Sequence, residues 1–171
     1  FLKIRLKSMN LVHLFGILSH RDMKRNYALL LSMVMVLALI ATGCKKKVKP
    51  VSERIAKTWT AESVKHASTT VYTKGAASNS VPGYSGFKLS LSSSGNTVAY
   101  TEWDGTTFNG TWELQGDQTL ILKNLVPQPS GSGGTVEFSI LSIDNSKLVL
   151  KNLKESKKTG NTINEYSLTN P

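Results

Sequence analysis

Beyond residue 66 the chain never keeps helical apolar spacing for ten residues. It runs in short alternations of apolar and polar residues that stop at turn-forming residues. Phe87, Leu89 and Leu91 alternate with Lys88, Ser90 and Ser92; a Ser-Gly-Asn turn at 94–96 follows, and then a run to Trp103. Asp104-Gly105 is a hairpin signal, after which Phe108, Gly110, Trp112 and Leu114 share one face. Gly116-Asp117 turns the chain, and 119–123 returns. Val136, Phe138 and Ile140 face one way, Asp144-Asn145 turns, Leu148 and Leu150 follow, 157–161 turns again, and Tyr166 and Leu168 come last. A period of two belongs to strands with one buried face. With 57–66 and 69–74 at the front, the spacing predicts eight or nine strands, the number that closes a small antiparallel up-and-down barrel. The fold class is all-β, and Trp59, Phe87, Leu89, Tyr100, Phe108, Trp112, Phe138 and Leu150 are expected to point inward.

A different pattern precedes this domain. From 27 to 41 every residue but Ser32 is apolar or aromatic, which is short of the roughly 20 residues that a membrane-crossing helix needs. Met23-Lys24-Arg25 lies before the run and Ala41-Thr42-Gly43 after it, the order of a secretory signal peptide. Here the chain resembles the bacterial lipoprotein signal, with Thr42 and Gly43 preceding Cys44, the sole cysteine. The resemblance implies cleavage after Gly43 and a diacylglycerol thioether on Cys44. The alternatives are a core helix with a free thiol and an uncleaved anchor; the near absence of polar residues at helical spacing argues against the first. Several acyl chains make a stable anchor where one is marginal, and a single cysteine rules out an internal disulfide. The organisation expected is a 1–22 extension from an over-called start, with the true start at Met23 or Met9, then a 23–43 signal peptide, a lipidated Lys-rich tether at 44–52, and the barrel at 53–171.

The net charge of +10 invites a nucleic-acid reading, but its distribution withdraws it. Six basic residues and one acidic residue precede Cys44, four lysines fall between 45 and 49, and the rest has eleven basic against ten acidic residues. A near-neutral domain has no basic face for nucleic acid. The lysines are either a solvated tether or a membrane-surface contact, each worth on the order of 1 kcal/mol near an anionic bilayer.

The segments RIAKTWTAESVKH, FKLSLSSSGNTVAY, FNGTWELQGDQTLIL and FSILSIDNSKLVLKN together resemble the lipocalin-like domains of Bacteroidota lipoproteins over most of 53–169, although Lys57 stands where such domains carry Gly. The resemblance implies a barrel with a ligand site at its mouth. The lipoprotein signal, with lysines rather than acidic residues after Cys44, implies an outer-membrane anchor facing the periplasm.

Little in the chain points to catalysis. His13 and His20 precede the cleavage site, which leaves His66 as a rim residue, and an acylated Cys44 removes the thiol from any metal site. No nucleophile elbow is present. Pro127 opens PQPSGSGG, a loop whose glycines lack the Lys-Ser/Thr and following helix of a phosphate cradle. Glu102 and Asp104 flank Trp103, and paired carboxylates beside an aromatic are what a glycosidase needs, but Asp104 belongs to the turn signal, so the preferred reading is a solvated strand end. Trp103 has opposite parity to Val98 and Tyr100 and adjoins that turn, so it and Tyr84 are the expected ligand or surface contacts. The expectation is a non-enzymatic, lipid-anchored protein without cofactor or metal, binding a small hydrophobic ligand or a protein partner. The alternative is a glycan-binding or hydrolase-inhibitor module using exposed aromatics.

Overall fold

A computed structural model of the chain describes Tyr27 and residues 48–171. The expected signal peptide, Gly43 and Cys44 lie outside the described residues. Within the unit Val48–Pro171 the alternating runs form nine strands: β1 Thr58–His66, β2 Thr69–Thr73, β3 Lys88–Leu91, β4 Thr97–Thr101, β5 Thr107–Gln115, β6 Thr119–Val126, β7 Val136–Ile143, β8 Lys147–Asn152 and β9 Asn164–Thr169. All neighbours are antiparallel, and β9 pairs back onto β1, with Ala61 opposite Leu168 and Val64 opposite Tyr166. The eight strands β1 and β3–β9 therefore close a ring. β2 is the supernumerary ninth. It shares an edge of β1 with β3, pairing with Ser63–His66 while β3 pairs with Thr58–Thr60.

Parity decides what fills this ring. Trp59, Phe87, Leu89, Tyr100, Phe108, Trp112, Phe138 and Leu150 are all buried, as their alternation requires. Leu120, Leu122, Leu148, Tyr166 and Leu168 complete the interior. An eight-stranded barrel is just wide enough for its own side chains, and here the aromatic rings occupy the upper bore. Phe87 stacks on Tyr166 at 5.2 Å, and Phe138 meets Tyr166 and Tyr100 edge-on at 6.0 and 6.3 Å. One inward position has to be empty. A side chain at Gly110 would run into the Lys123 carbonyl oxygen, where a bulge between Asn109 and Thr111 brings β6 close.

The two ends of the barrel differ. At the lower end lie the short connections 92–96, 116–118 and 144–146, together with a helix, α1 (Val51–Ile55). Val51 and Ile55, one helical turn apart and so on one face, are both buried. Trp59 Nε1 donates to Ile55 O at 2.9 Å, and Arg54 Nη1 donates to Ile143 O at 2.7 Å. The folded unit runs from Val48, and Val51, in the segment expected as tether, is buried. At the upper end, the mouth, lie the hairpin 102–106 and the long connections 74–87, 127–135 and 153–163.

Candidate functional site

Inward stripes that are apolar along the bore turn polar where they reach the mouth. On β4 the stripe Val98, Tyr100 continues to Glu102; on β8 Leu148, Leu150 continues to Asn152. On β9 Leu168, Tyr166 continues to Asn164, and on β1 Val64 continues to His66. The ring of Glu102, Asn152, Asn164 and His66 is therefore a product of strand parity, laid over a floor of tyrosines.

Glu102 is not the solvated strand end that the sequence suggested. Its side chain is only 13% exposed, and Lys158 Nζ, itself 19% exposed, lies 2.7 Å from Glu102 Oε2. The same ammonium donates to Asp104 Oδ2 at 2.8 Å. The ring of Phe108 lies 5.1 Å from the ammonium. Asp104 also takes its expected place in the turn, accepting from Thr106 N at 3.0 Å. The hydrogen bond from Lys158 is the main reason its carboxyl is held below the usual range, with Thr106 assisting against a small burial penalty. Burial works against the charge on Lys158, but its two carboxylates outweigh burial and hold its pKa up. Lys158 thus latches connection 153–163 onto hairpin 102–106.

The same connection is pinned from below by Asn164, which is fully buried. Its Nδ2 donates to Thr159 Oγ1 at 3.0 Å and to Tyr166 OH at 3.3 Å, and its Oδ1 accepts from Thr162 Oγ1 at 2.7 Å. Burial pushes the hydroxyls of Tyr84 and Tyr100 well up, and that of Tyr166 to about 12. All three stay protonated donors at neutral pH.

Tyr84, expected to be a surface contact, is 1% exposed. It lies in the 3-10 turn Pro82–Gly86 and drops into the mouth, its OH 2.8 Å from His66 Nε2. Its ring lies against those of His66, Tyr72, Phe87 and Tyr166 at 5.7–6.3 Å. A loop tyrosine has no parity to reveal its direction, which is why sequence misplaced it. The turn also covers Trp103. A side chain at Gly83 would run into the Trp103 carbonyl oxygen, and Trp103 is half-buried against the core with its indole N–H unpaired. Trp103 is therefore no exposed platform. His66 stands at the rim, half-buried, its pKa lowered by burial.

Between connections 127–135 and 153–158 these groups enclose a recess of about 150 Å³. Tyr100, Glu102 and Tyr166 form its floor, and Asn152, Lys158 and Ser132 are among its walls. Asn152 Oδ1 is buried without a hydrogen-bond partner. Behind the recess a void of about 10 Å³ reaches Trp103 and Tyr84, room for about one water. A larger hollow of about 310 Å³ at the lower end, beside Lys49, Glu53 and Trp112, is more open and carries no unpaired buried atom. Among the described residues no group of three or more His, Cys, Asp or Glu side chains is placed to hold a metal ion. Sequence reasoning missed Asn152, Asn164 and Lys158. For the two asparagines the missing signal was the inward parity, followed one step past the last apolar residue.

No protein-family model and no curated protein matches the chain. Among solved structures it is similar to a lipocalin-like protein from Bacteroides uniformis, at 14% identity and a TM-score of 0.45, over 69% of this chain and 99% of that one.

Proposed function

We propose that this chain is a lipid-anchored, non-enzymatic envelope protein whose barrel offers a small-molecule site at its mouth. The anchor half rests on the order Met23-Lys24-Arg25, apolar run, Thr42-Gly43-Cys44, which places a lipidated Cys44 a few residues before α1. The binding half rests on one observation: over a filled bore, the mouth holds a recess of about 150 Å³ lined by Tyr100, Tyr166, Asn152, Ser132 and the Glu102–Lys158 pair. A concave site with a few convergent polar groups is where a small ligand is held and oriented.

The interior is filled by its own rings, so the reading favours a ligand seated at the mouth over a hydrophobic one swallowed by the bore. The burial of Tyr84 and Trp103 removes the exposed aromatic platform on which a polysaccharide reading depended. Against catalysis, a glycosidase acid needs a raised pKa, and the hydrogen bond from Lys158 drives Asp104 the other way.

Intact mass of protein extracted from bacterial membranes tests the anchor. The expected species begins at Cys44 with diacylglycerol and acyl groups, and Cys44→Ser leaves the membrane fraction. An unmodified mass starting at Met23, or unchanged partition of Cys44→Ser, overturns that half.

A further inference from the structure

We infer that the lower end of the barrel rests on an anionic lipid surface, so that the mouth opens away from the bilayer and is filled from the aqueous side, an inference that rests on Cys44 bearing the lipid. Attachment is the first support. The folded unit begins at the lower end, and its first turn is fixed there. Val51 and Ile55 of α1 are buried, Arg54 Nη1 donates to Ile143 O at 2.7 Å, and Lys57 Nζ donates to Asn145 O at 2.5 Å. Whatever holds Cys44 therefore pulls on this end.

Reach is the second. Cys44 lies seven residues before Val51, a length of chain that spans at most about 25 Å when fully extended. β5 runs from the mouth to the lower end in nine residues, which at the rise of a strand and the tilt of a barrel is about 23 Å, and the mouth connections add to it. Turning the mouth onto the bilayer would draw the tether to its limit. Lys49 would then stand roughly 17 Å from the surface, beyond a Debye length of about 8 Å.

Charge is the third. Lys45, Lys46, Lys47 and Lys49 set four positive charges within five residues. Glu53 Oε2 lies 3.9 Å from Lys49 Nζ with both side chains largely exposed, a weak pair that leaves the cluster basic. Arg54 and Lys57 offset Asp117 and Asp144 of the lower turns, so the tether lysines set the sign of this end. Such a cluster is drawn to anionic lipid within a Debye length of it. Val48, 75% exposed beside the lysines, is an apolar side chain suited to the headgroup boundary. At the mouth Lys154 and Lys158 are paired with Glu137, Glu102 and Asp104, and Glu155 offsets Lys157.

The test uses full chain extracted from bacterial membranes and labelled with bimane at Ser94→Cys, in the lower turn, or at Ser130→Cys, in the mouth loop, both exposed positions. An acylated Cys44 leaves the introduced thiol as the reactive one. The protein is placed in vesicles of phosphatidylglycerol and phosphatidylcholine whose headgroups carry nitroxides, which quench at near contact. The label at 94 is expected to be quenched and the label at 130 to keep its emission. That contrast should shrink when phosphatidylglycerol is left out, or when all four tether lysines are replaced by Gln. Equal quenching at the two positions, or stronger quenching at 130, in protein that floats with the vesicles overturns the orientation and leaves the anchor standing. A contrast indifferent to both phosphatidylglycerol and the lysines overturns the anionic surface as partner. Protein that does not float with the vesicles overturns the anchor, and this inference with it.

Discussion

Gly83→Ala should unseat the turn that plugs the mouth. The added methyl would strike the Trp103 carbonyl oxygen and lie 3.2 Å from the carbonyl carbon. Both partners are backbone, so no side-chain rotation relieves the clash, and either hairpin 102–106 or the turn Pro82–Gly86 has to move. Overpacking of this kind costs about 1–3 kcal/mol. Lifting Tyr84 out of its seat would forfeit at most the burial of one large side chain, about 1.5–3 kcal/mol, so the two routes bound the loss at a similar value. For a domain of this size a loss near 2 kcal/mol lowers the melting temperature by roughly 5–10 °C. Gly86→Ala is the internal control, since it lies in the same turn, its methyl would meet nothing within 4 Å, and its φ is not positive; it should be neutral or gain up to about 1 kcal/mol through the unfolded chain. Thermal unfolding followed by near-ultraviolet circular dichroism reads both variants, and the Trp103 indole signal reports which element moved. Equal melting temperatures for the two would refute the close approach at Gly83.

The latch and the rim give further expectations. Lys158→Met leaves Glu102 without its ammonium in a largely buried position and should cost about 1–3 kcal/mol; Asp104→Asn, at a more exposed partner, should cost less than about 1 kcal/mol. Hydrogen exchange should quicken over 156–163 in both, as read by mass spectrometry. Because Asp104 has a lowered folded pKa, its contribution is present above its ordinary value and lost as pH falls through the folded one; the same exchange signal should rise there in wild type and be flat in Asp104→Asn. His66 is a base whose folded pKa is lowered by burial from 6.5, so the unfolded chain binds its proton first. Stability should fall as pH drops from 6.5 toward the folded value and be level above it, and His66→Gln should flatten that part of a plot of urea midpoint against pH.

The barrel was legible because a strand's alternation is a direct record of which face is wet. Trp59, Phe108 and Trp112 could be assigned inward from their neighbours alone, and closure followed from strand number. The site was harder for the same reason. Alternation was followed only while inward residues were apolar, so Glu102, Asn152 and Asn164, which continue the stripes of Tyr100, Leu150 and Tyr166, passed as surface. Asp104 drew Glu102 into the turn with it, although Glu102 keeps the inward parity of Val98 and Tyr100. Tyr84 and Lys158 come from connections without periodicity, and their directions are set by contacts with Gly83, Trp103 and the two carboxylates that no local pattern encodes. The helix α1 went unread because five residues are too few for a helical repeat to declare itself.

The central claim is that the bore is filled and that binding belongs to the mouth. Methyl-labelled full chain titrated with laurate tests it most directly, using the methyls of Leu89, Leu120, Leu122, Leu148, Leu150 and Leu168 as reporters. These should keep their positions at saturating laurate. Stoichiometric shifts of those methyls in slow exchange would mean the bore opens to take an acyl chain, and would contradict the account.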